Sequence, residues 1–341
     1  HWCIDRIKSV DGPVSDDGNR QQTATLNING FKLDYVTAFF GPKPFTTGDA
    51  MQSLAKVAAA KGVDIRYSTP ARQLVTDKSG AVTGAIAQRE DGEYVQVNAK
   101  NGVIIATGDY SNDNEMVDYY IPDLHNFERK QNNQTGDGHK MGMWVGAAME
   151  HIGHTKMLHD FDAGPASMCD MPFLAVADNT GKRFVDETVE MSLLNNYLRD
   201  GKHPGWYSQV FDANYMTDAA DWKGKLVDPE GLRVYMPEED VERKGVFADQ
   251  VRTFKADTLE ELAVKIGQDP ATFVKTVEDY NALCEAGADT EFGKDPKYLI
   301  PVKQAPFYGI HRRMRCSTIC AGLEVNGENQ ALTAEGEPIE G

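Results

Sequence analysis

The order of apolar and polar residues predicts a helix followed by a small ribbon of strands in the first third of the chain. Residues 46–62, TTGDAMQSLAKVAAAKG, carry apolar side chains at helical spacing. Residues 63–77 and 80–91 show the pattern of strands that are joined by a turn. Residues 93–108 add a further strand pair, so the pattern indicates an antiparallel ribbon that ends in a return strand.

The return strand is the most informative part of this pattern. Val103, Ile104 and Ile105 form a short β-branched run without alternation, which predicts a strand that is buried on both faces. The run passes directly into Ala106-Thr107-Gly108 and then into a polar segment that is rich in turn residues. Small residues at the end of a buried strand leave space, so we expect a large ligand to lie beside this turn.

Later segments predict helices. Residues 135–149, TGDGHKMGMWVGAAM, open with a glycine-rich turn and continue with Gly and Ala on the packing side. Residues 258–285 read as two amphipathic helices that are separated at Asp269-Pro270, where proline fits the first turn of the second helix. Thr258 and Glu261 have the spacing of a capping box at the start of the first.

Composition and charge exclude several classes of function. The 341 residues suffice for two domains, and the net charge of −17 makes nucleic acid an improbable partner. The sequence has no apolar run of the length that spans a bilayer, about 18 residues. No secretory signal peptide is recognisable, and the sequence begins with His1 rather than Met, so we expect that the natural start has been removed.

Cysteine and histidine spacing gives no metal site. The chain has five cysteines, Cys3, Cys169, Cys284, Cys316 and Cys320. Their spacing does not form a disulfide framework, and no second Cys or His pair completes a tetrahedral site. Free thiols and the absence of a bound metal are therefore predicted.

Several sequence blocks occur in an order that is more specific than any one of them. The blocks are NAKNGVIIATGDYSND, TGDGHKMGMWVGAA, NTGKRFVDE, TLEELAVKIGQDPATFVKTVEDYN, APFYGI and AGLEVN. Together they resemble the flavoprotein subunit family of fumarate reductase and succinate dehydrogenase, and most of all its soluble flavocytochrome c and 3-ketosteroid dehydrogenase branch. The resemblance covers roughly residues 46–341.

The resemblance implies an α/β fold with a capping domain. A partial, Rossmann-like FAD-binding domain is expected in residues 1–150 and 311–341, interrupted by a mixed α+β capping domain in 151–310. The glycine-rich GxGxxG loop that holds the FAD pyrophosphate in this family does not follow any strand of the sequence. We therefore expect a central fragment of a longer flavoenzyme, which also lacks a C-terminal FAD segment and holds FAD weakly or not at all.

The cofactor contacts that the resemblance implies fall on one strand and two turns. They are Ala71, Leu74, Ala106, Thr107, Gly108, Thr135, Gly136, Asp137 and Gly138. Asp137 has a second interpretation, because an Asp before a helix also serves as an ordinary N-cap.

The substrate residues of the family are only partly present. Met191 stands where the fumarate-reducing branch has its proton-donating Arg, and a thioether carries no proton to donate. Thr318 lies near the position of one substrate His, and His159 lies within one residue of the other. Arg315, at the end of the basic run 311–315, is a candidate for holding an anionic group, with pairing to surface acids as the alternative.

These observations predict an FAD-dependent oxidoreductase that transfers hydride between flavin and an activated carbon–carbon double bond, with fumarate an improbable substrate. A small alkene or enone and an electron donor protein or domain are the expected partners. The alternatives are a 3-ketosteroid-type dehydrogenase and a cofactor-free, inactive domain. His159 or a tyrosine would donate the proton, and core packing is the competing role for the candidate tyrosines Tyr197, Tyr207, Tyr215 and Tyr308.

Overall fold

The computed structural model describes residues 2–13, 21–28, 31–37, 47–159, 163–199, 204–222, 224–244 and 246–341. The chain divides into two compact units, residues 1–69 and 70–341. This division lies at a different place from the predicted domain boundaries at 150 and 310, which stay a prediction. Within the described ranges no helix has the length and apolar character needed to cross a membrane.

The first unit combines two helices with a hairpin. Helix α1 (Trp2–Lys8) buries Ile4 and Ile7. Strands β1 (Gln21–Ile28) and β2 (Phe31–Thr37) pair antiparallel. Helix α2 (Thr47–Ala60) confirms the helix predicted from apolar spacing.

The second unit begins with the predicted ribbon. Strands β3 (Ala71–Thr76), β4 (Val82–Gln88) and β5 (Tyr94–Asn98) form an antiparallel sheet with β4 in the middle. The turn between β3 and β4 is fixed by Asp77, whose carboxylate accepts hydrogen bonds from the backbone N–H and the hydroxyl of Ser79. The ribbon is confirmed, although its first strand starts only after Pro70.

The predicted buried strand at Val103–Ile105 is wrong. These residues belong to no strand, and the side chain of Ile104 is 92% exposed. Val103 N–H donates to the carbonyl of Gly341 at 2.7 Å, but within the described part of the chain no backbone hydrogen bond involves Ile104 to Gly108. A β-branched run favours a pleated, packed surface, yet it becomes a strand only where a neighbouring strand offers hydrogen bonds. No described strand lies alongside it.

The remaining elements mix helices and strands. The helices are α3 (Asn114–Tyr120), α4 (Asp137–Trp144), α5 (Met191–Leu198), α6 (Tyr215–Asp218), α7 (Pro229–Leu232), α8 (Leu259–Lys265) and α9 (Pro270–Ala286). The strands are β6 (Glu128–Arg129), β7 (Lys156–His159), β8 (Leu174–Ala177), β9 (Trp206–Phe211), β10 (Thr253–Ala256), β11 (Phe307–Arg313) and β12 (Arg315–Ile319).

A four-stranded antiparallel sheet, in the order β10-β11-β9-β8, carries α8 and α9 against one of its faces. Leu262 of α8 and Phe273 of α9 are fully buried against Val176 and Val210 of the sheet. The two predicted helices are therefore confirmed, and their apolar stripes pack against the sheet.

The predicted capping box at the start of α8 is only half formed. The Thr258 hydroxyl accepts from the Glu261 N–H at 3.1 Å, as expected of an N-cap. The Glu261 carboxylate accepts from the Asp257 N–H at 3.3 Å rather than from Thr258. The helix start is therefore stabilised one residue further back than the motif predicts.

A three-stranded sheet, in the order β6-β12-β7, brings the predicted substrate residues together. Strand β12 pairs parallel with β6 and antiparallel with β7. Arg315 lies directly opposite His159, and Thr318 lies opposite Met157. His159 and the pair Arg315 and Thr318, which are distant in sequence from it, thus share one small sheet.

Candidate functional site

A cavity of about 720 Å³ opens beside residues 103–108, which we call the cavity segment. The facing wall comes from α4 and the C-terminal loop: His139, Leu323, Val325, Glu328, Asn329 and Ala331. The volume lies within the range of small-molecule and cofactor sites, about 300–1,000 Å³. Ala106, Thr107 and Gly108 all line this cavity, so the predicted small-residue turn does border an open space.

A second cavity of about 460 Å³ lies on the other side of the same segment. Leu74 of β3 lines it together with Val82, Val145 and Ile339, so its wall is mainly apolar. Val103, Ile104 and Ile105 border both cavities. Residues 103–105 of the cavity segment therefore border both spaces, while Val103 and Ile105 also pack against the cluster of Leu74, Val82 and Met141.

Helix α4 packs closely against the cavity segment through one glycine and against the C-terminal loop through another. A Cβ on Gly138 would stand 2.1 Å from the Thr107 hydroxyl oxygen, and one on Gly142 would stand 2.5 Å from Leu323. Gly136, the N-cap, has a φ of 69°, a left-handed conformation that glycine adopts without strain. The glycines of the TGDG motif thus bring the start of α4 onto the Ala106–Gly108 turn.

Asp137 occupies the first turn of α4. It is not the N-cap, because Gly136 takes that position without a side-chain bond, so the alternative interpretation as an ordinary cap loses its geometric basis. Asp137, Thr135, Gly136 and Ala71 are not among the residues that line the described cavities. Their assignment to FAD stays a prediction.

Asp109, which the sequence reasoning missed, ties the turn to β12. Its side chain is buried, one carboxylate oxygen accepts from the Ser111 N–H at 2.8 Å, and the other accepts from the Thr318 hydroxyl at 2.8 Å and the Ile319 N–H at 3.0 Å. A carboxylate placed directly after a small-residue turn was the available signal. Asp109 thereby fixes the distance between the cavity segment and the strand of the substrate candidates.

The bond to Asp109 limits what Thr318 can do. A threonine hydroxyl has one proton, and Thr318 donates it to the carboxylate of Asp109. Only the oxygen lone pairs remain for another partner. In this geometry Thr318 orients and accepts, but it does not donate a proton to a substrate.

Beside the cavity, His139 is the end of a series of aromatic rings in contact. Its ring meets Tyr110 edge to face with centroids 5.4 Å apart. Tyr110 is fully buried and its hydroxyl is bonded to Nδ1 of His154, whose ring stacks on Tyr120 at 4.6 Å. Burial lowers the pKa of His139, although Asp109 acts in the opposite direction. Nδ1 of His139 is buried and has no hydrogen-bond partner among the described residues.

The members of the basic run 311–315 have different environments. Arg312 is fully buried and donates to the side chain of Gln209 and to the carbonyls of Ala163 and Pro165. Arg315, the predicted anion-binding residue, donates to Asp249 at 3.1 Å. This contact agrees with the alternative that its guanidinium pairs with a surface acid, and its catalytic assignment stays a prediction.

A separate group of charges is closed off from solvent, and we call it the ion-pair cluster: Arg183, Glu187, Asp289 and Lys294. Arg183 forms two bonds with each of the two carboxylates, at 2.7–2.9 Å. The Lys294 ammonium donates to the carbonyl of Pro172 at 2.6 Å and lies 3.2 Å from Glu187. Each of the four side chains is at most 3% exposed.

The electrostatics of the cluster follow from its bonds. Burial by itself raises the pKa of Asp289, but the bonds from Arg183 and from the N–H groups of Lys294, Phe292 and Glu291 outweigh it and leave the pKa well below its ordinary value. Burial lowers the pKa of Lys294, and Glu187 opposes this only in part. This geometry gives Arg183 a structural role, because its guanidinium neutralises two buried carboxylates.

Comparison with known proteins places these features in a family. The model of the FAD binding domain matches residues 30–341. A vinyl phenol reductase of Lactiplantibacillus plantarum is 29% identical over 322 residues, covering 86% of this chain and 62% of the relative. A 4-oxocyclohex-2-ene-1-carboxylate 5-dehydrogenase of Sinomonas cyclohexanicum is 27% identical over 337 residues, covering 87% and 53%. The chain spans about half the length of the curated relatives it matches.

The fold is shared with a solved enzyme. The open conformation of a flavocytochrome c3 fumarate reductase superposes with a TM-score of 0.72 at 22% identity, covering 100% of this chain and 55% of the other. This likeness confirms the predicted α/β fold class.

The residues present fit the family's cofactor. The cavity has a suitable volume, and its floor is a turn of small exposed residues that leaves room for a large ligand. On the match to residues 30–341, the chain belongs to the FAD-binding domain family, whose cofactor is FAD, as the order of its motifs predicted.

Proposed function

We propose that the protein carrying this chain is an FAD-dependent oxidoreductase that reduces an activated carbon–carbon double bond. The observation that carries the proposal is the cavity on the Ala106–Gly108 turn, joined through Asp109 to the strand of the substrate candidates. When bound, FAD supplies the hydride chemistry. The chain's own residues bind the cofactor, orient the substrate and supply the proton.

The substrate class follows from the groups around β12. A dicarboxylate needs cationic partners, and each charge-assisted hydrogen bond contributes about 1.5–3 kcal/mol. Met191 begins α5 where the resemblance places an Arg, and Thr318 gives its proton to Asp109. Losing two such bonds lowers affinity by about 10²–10⁴, and losing the proton transfer lowers the rate by a further 10²–10⁴ or so.

A larger and less charged acceptor suits these residues better than fumarate does. An enone or a vinyl phenol has a neutral activating group that one or two hydrogen bonds can hold, and an aryl acrylate carries one carboxylate where fumarate carries two. The vinyl phenol reductase relative supports this class.

The proton donor is proposed to be His159 or a tyrosine. His159 lies opposite Arg315 in the sheet, so its position is beside the strand that carries Thr318. Tyr215 is a poor candidate because its hydroxyl donates to the carbonyl of Val227 and burial raises its pKa. Tyr197, on α5, is 55% exposed and is the better tyrosine candidate.

A second candidate is the same chemistry in the oxidative direction, on a ring ketone. It is favoured by the relative from Sinomonas cyclohexanicum, whose name describes a dehydrogenase of a cyclohexenone carboxylate. For either direction we propose a separate electron carrier, protein or domain, as the partner. The non-enzymatic alternative is a cofactor-free, inactive domain.

The test uses the product of the complete open reading frame beside the 341-residue chain. Bound flavin is measured by absorbance near 370 and 450 nm, roughly where the conjugated ring absorbs. We expect bound flavin in the complete protein and weak binding in the 341-residue chain, because the sequence has no GxGxxG loop for the pyrophosphate.

The second experiment mixes the dithionite-reduced complete protein anaerobically with fumarate, acrylate, a vinyl phenol and a steroid enone. Fumarate as the fastest acceptor contradicts the substrate proposal, and a colourless protein supports the inactive domain.

A further inference from the structure

We propose that His139 contacts the cofactor and donates a hydrogen bond from Nε2 to FAD in the cavity. The inference deepens the proposed function and rests on it, since it takes FAD as the ligand of this cavity. The sequence reasoning did not assign His139 to the cofactor, although it follows directly after the predicted TGDG residues.

The position of the ring is the first argument. His139 lines the cavity of about 720 Å³ together with Ala106, Thr107 and Gly108. It lies on the first turn of α4, one residue after Gly138, whose close approach to Thr107 fixes the start of that helix on the turn. The imidazole therefore borders the same space as the turn that is assigned to the cofactor.

The orientation of the ring is fixed before any ligand arrives. Tyr110 contacts it edge to face, and Tyr110 is held in turn by its bond to His154 and by the contact of its ring with Tyr120 at 5.8 Å. Groups that are fixed by packing lose little entropy when a ligand binds. The ring is consequently a preorganised contact rather than a flexible surface side chain.

The hydrogen-bonding state follows from burial. The charged and titratable groups that act on the ring are Asp109 and His154, and the net effect with burial is a lowered pKa, so the imidazole is neutral near pH 7. A neutral imidazole has one N–H. Placing it on Nδ1 would bury an unpaired donor, because that atom has no partner in the described part of the chain. The proton therefore belongs on Nε2, the nitrogen on the side of Gly322.

The unpaired nitrogen also has an energetic consequence. A buried polar atom without a partner destabilises the protein relative to an apolar ring of similar size. The unpaired Nδ1 of His139 should therefore lower the stability of the cofactor-free protein, while the proposed bond from Nε2 should raise the affinity for cofactor. A residue with a purely structural role would change both quantities in the same direction.

The experiment compares His139→Phe, His139→Gln and His139→Asn with the wild type in the product of the complete open reading frame. FAD affinity is measured by quenching of flavin fluorescence, and melting temperature is measured without cofactor. His139→Phe should weaken FAD binding about tenfold, the worth of one hydrogen bond, while the cofactor-free melting temperature stays equal or rises. Glutamine carries its amide nitrogen near the position of Nε2 and should retain most of the affinity, whereas the shorter asparagine should not.

Two results overturn the inference. One is equal FAD affinity in His139→Phe and the wild type. The other is a loss of affinity that is accompanied by a lower cofactor-free melting temperature, which indicates a structural role. If the wild type binds no FAD, the proposed function fails separately. Nitrogen-15 chemical shifts of His139 in the cofactor-free protein then test whether the neutral ring carries its proton on Nε2. A proton on Nδ1 contradicts the inference.

Discussion

The ion-pair cluster and the cavity segment are opposite in how they expose polar and apolar groups: the cluster buries charges, whereas the segment exposes apolar side chains. In the cluster, the four charged side chains are buried and each has a bonded partner. In the cavity segment, Ile104 is 92% exposed and the amides from Ile104 to Gly108 make no backbone hydrogen bond within the described ranges. The charged groups of the cluster are paired within the protein, whereas the amides and exposed side chains of the cavity segment remain available to a ligand.

The comparison teaches where ligand binding and stability reside. A buried charge network is costly to break, because removing one partner leaves an unpaired charge in a low dielectric. A substitution in the cavity segment should change the free energy of unfolding little, because its exposed side chains make few contacts. A bound molecule should stabilise this segment most, because it can accept hydrogen bonds from the amides. The following predictions test that difference from the largest expected effect to the smallest.

Arg183→Met should cause the largest loss of stability. It leaves Glu187 and Asp289 buried without their shared guanidinium, and the free energy of unfolding should fall by about 3–5 kcal/mol in urea titrations. Arg89→Met is the matched control, since Arg89 is half exposed and its pair with Glu93 spans 3.4 Å. It should cost about 0–1 kcal/mol. Similar losses in both variants would show that the cluster is not the stabilising feature.

A pair of isoleucine substitutions makes the same contrast without charge. Ile310 is fully buried in β11, so Ile310→Ala should lower the free energy of unfolding by about 2–5 kcal/mol. Ile104→Ala should change it by less than about 0.5 kcal/mol in the cofactor-free protein. A large loss from Ile104→Ala would mean that the cavity segment is packed in solution.

Asp137→Ala should reduce FAD affinity more than stability. Asp137 stands on the first turn of α4 without serving as its cap, and a lost bond to a charged group costs about 1.5–3 kcal/mol, or roughly 10- to 100-fold in affinity. The cofactor-free melting temperature should change little. An equal loss of affinity and of melting temperature would indicate that the carboxylate only supports the helix.

The contribution of the ion-pair cluster to stability should also depend on pH. The folded pKa of Asp289 lies below its ordinary value of 3.8, so its contribution is complete above that value and is lost as pH falls through the folded pKa. Stability should therefore decline below about pH 4. Arg183→Met removes the partner that lowers this pKa, and its stability should decline less steeply. The same slope in both proteins would assign the acid sensitivity to other carboxyls.

Local patterns predicted the elements that depend on neighbours in sequence. Helices α2, α8 and α9 and the ribbon follow from apolar spacing, caps and turns, all of which act within a few residues. The prediction at Val103–Ile105 is wrong because burial of that run depends on strands distant in the chain, which a local pattern cannot report.

The candidate site was predictable only in part for the same reason. The Ala106–Gly108 turn was found from its composition and its resemblance to a family. Asp109 and His139 were not, although each adjoins a predicted residue, because their roles rest on partners far along the chain: Thr318 and Ile319 for one, Tyr110 for the other. Sequence proximity to a motif indicates candidates, and geometry assigns their contacts.

The most direct test of the account is hydrogen exchange with and without FAD in the product of the complete open reading frame. We expect FAD to slow exchange of the amides from Ile104 to Gly108 by a large factor, because these amides make no hydrogen bond to a backbone acceptor among the described residues. The amides around Arg183 and Asp289 should change little, since that region is already complete. Protection at the ion-pair cluster with none in the cavity segment would contradict the assignment of the cofactor to this cavity.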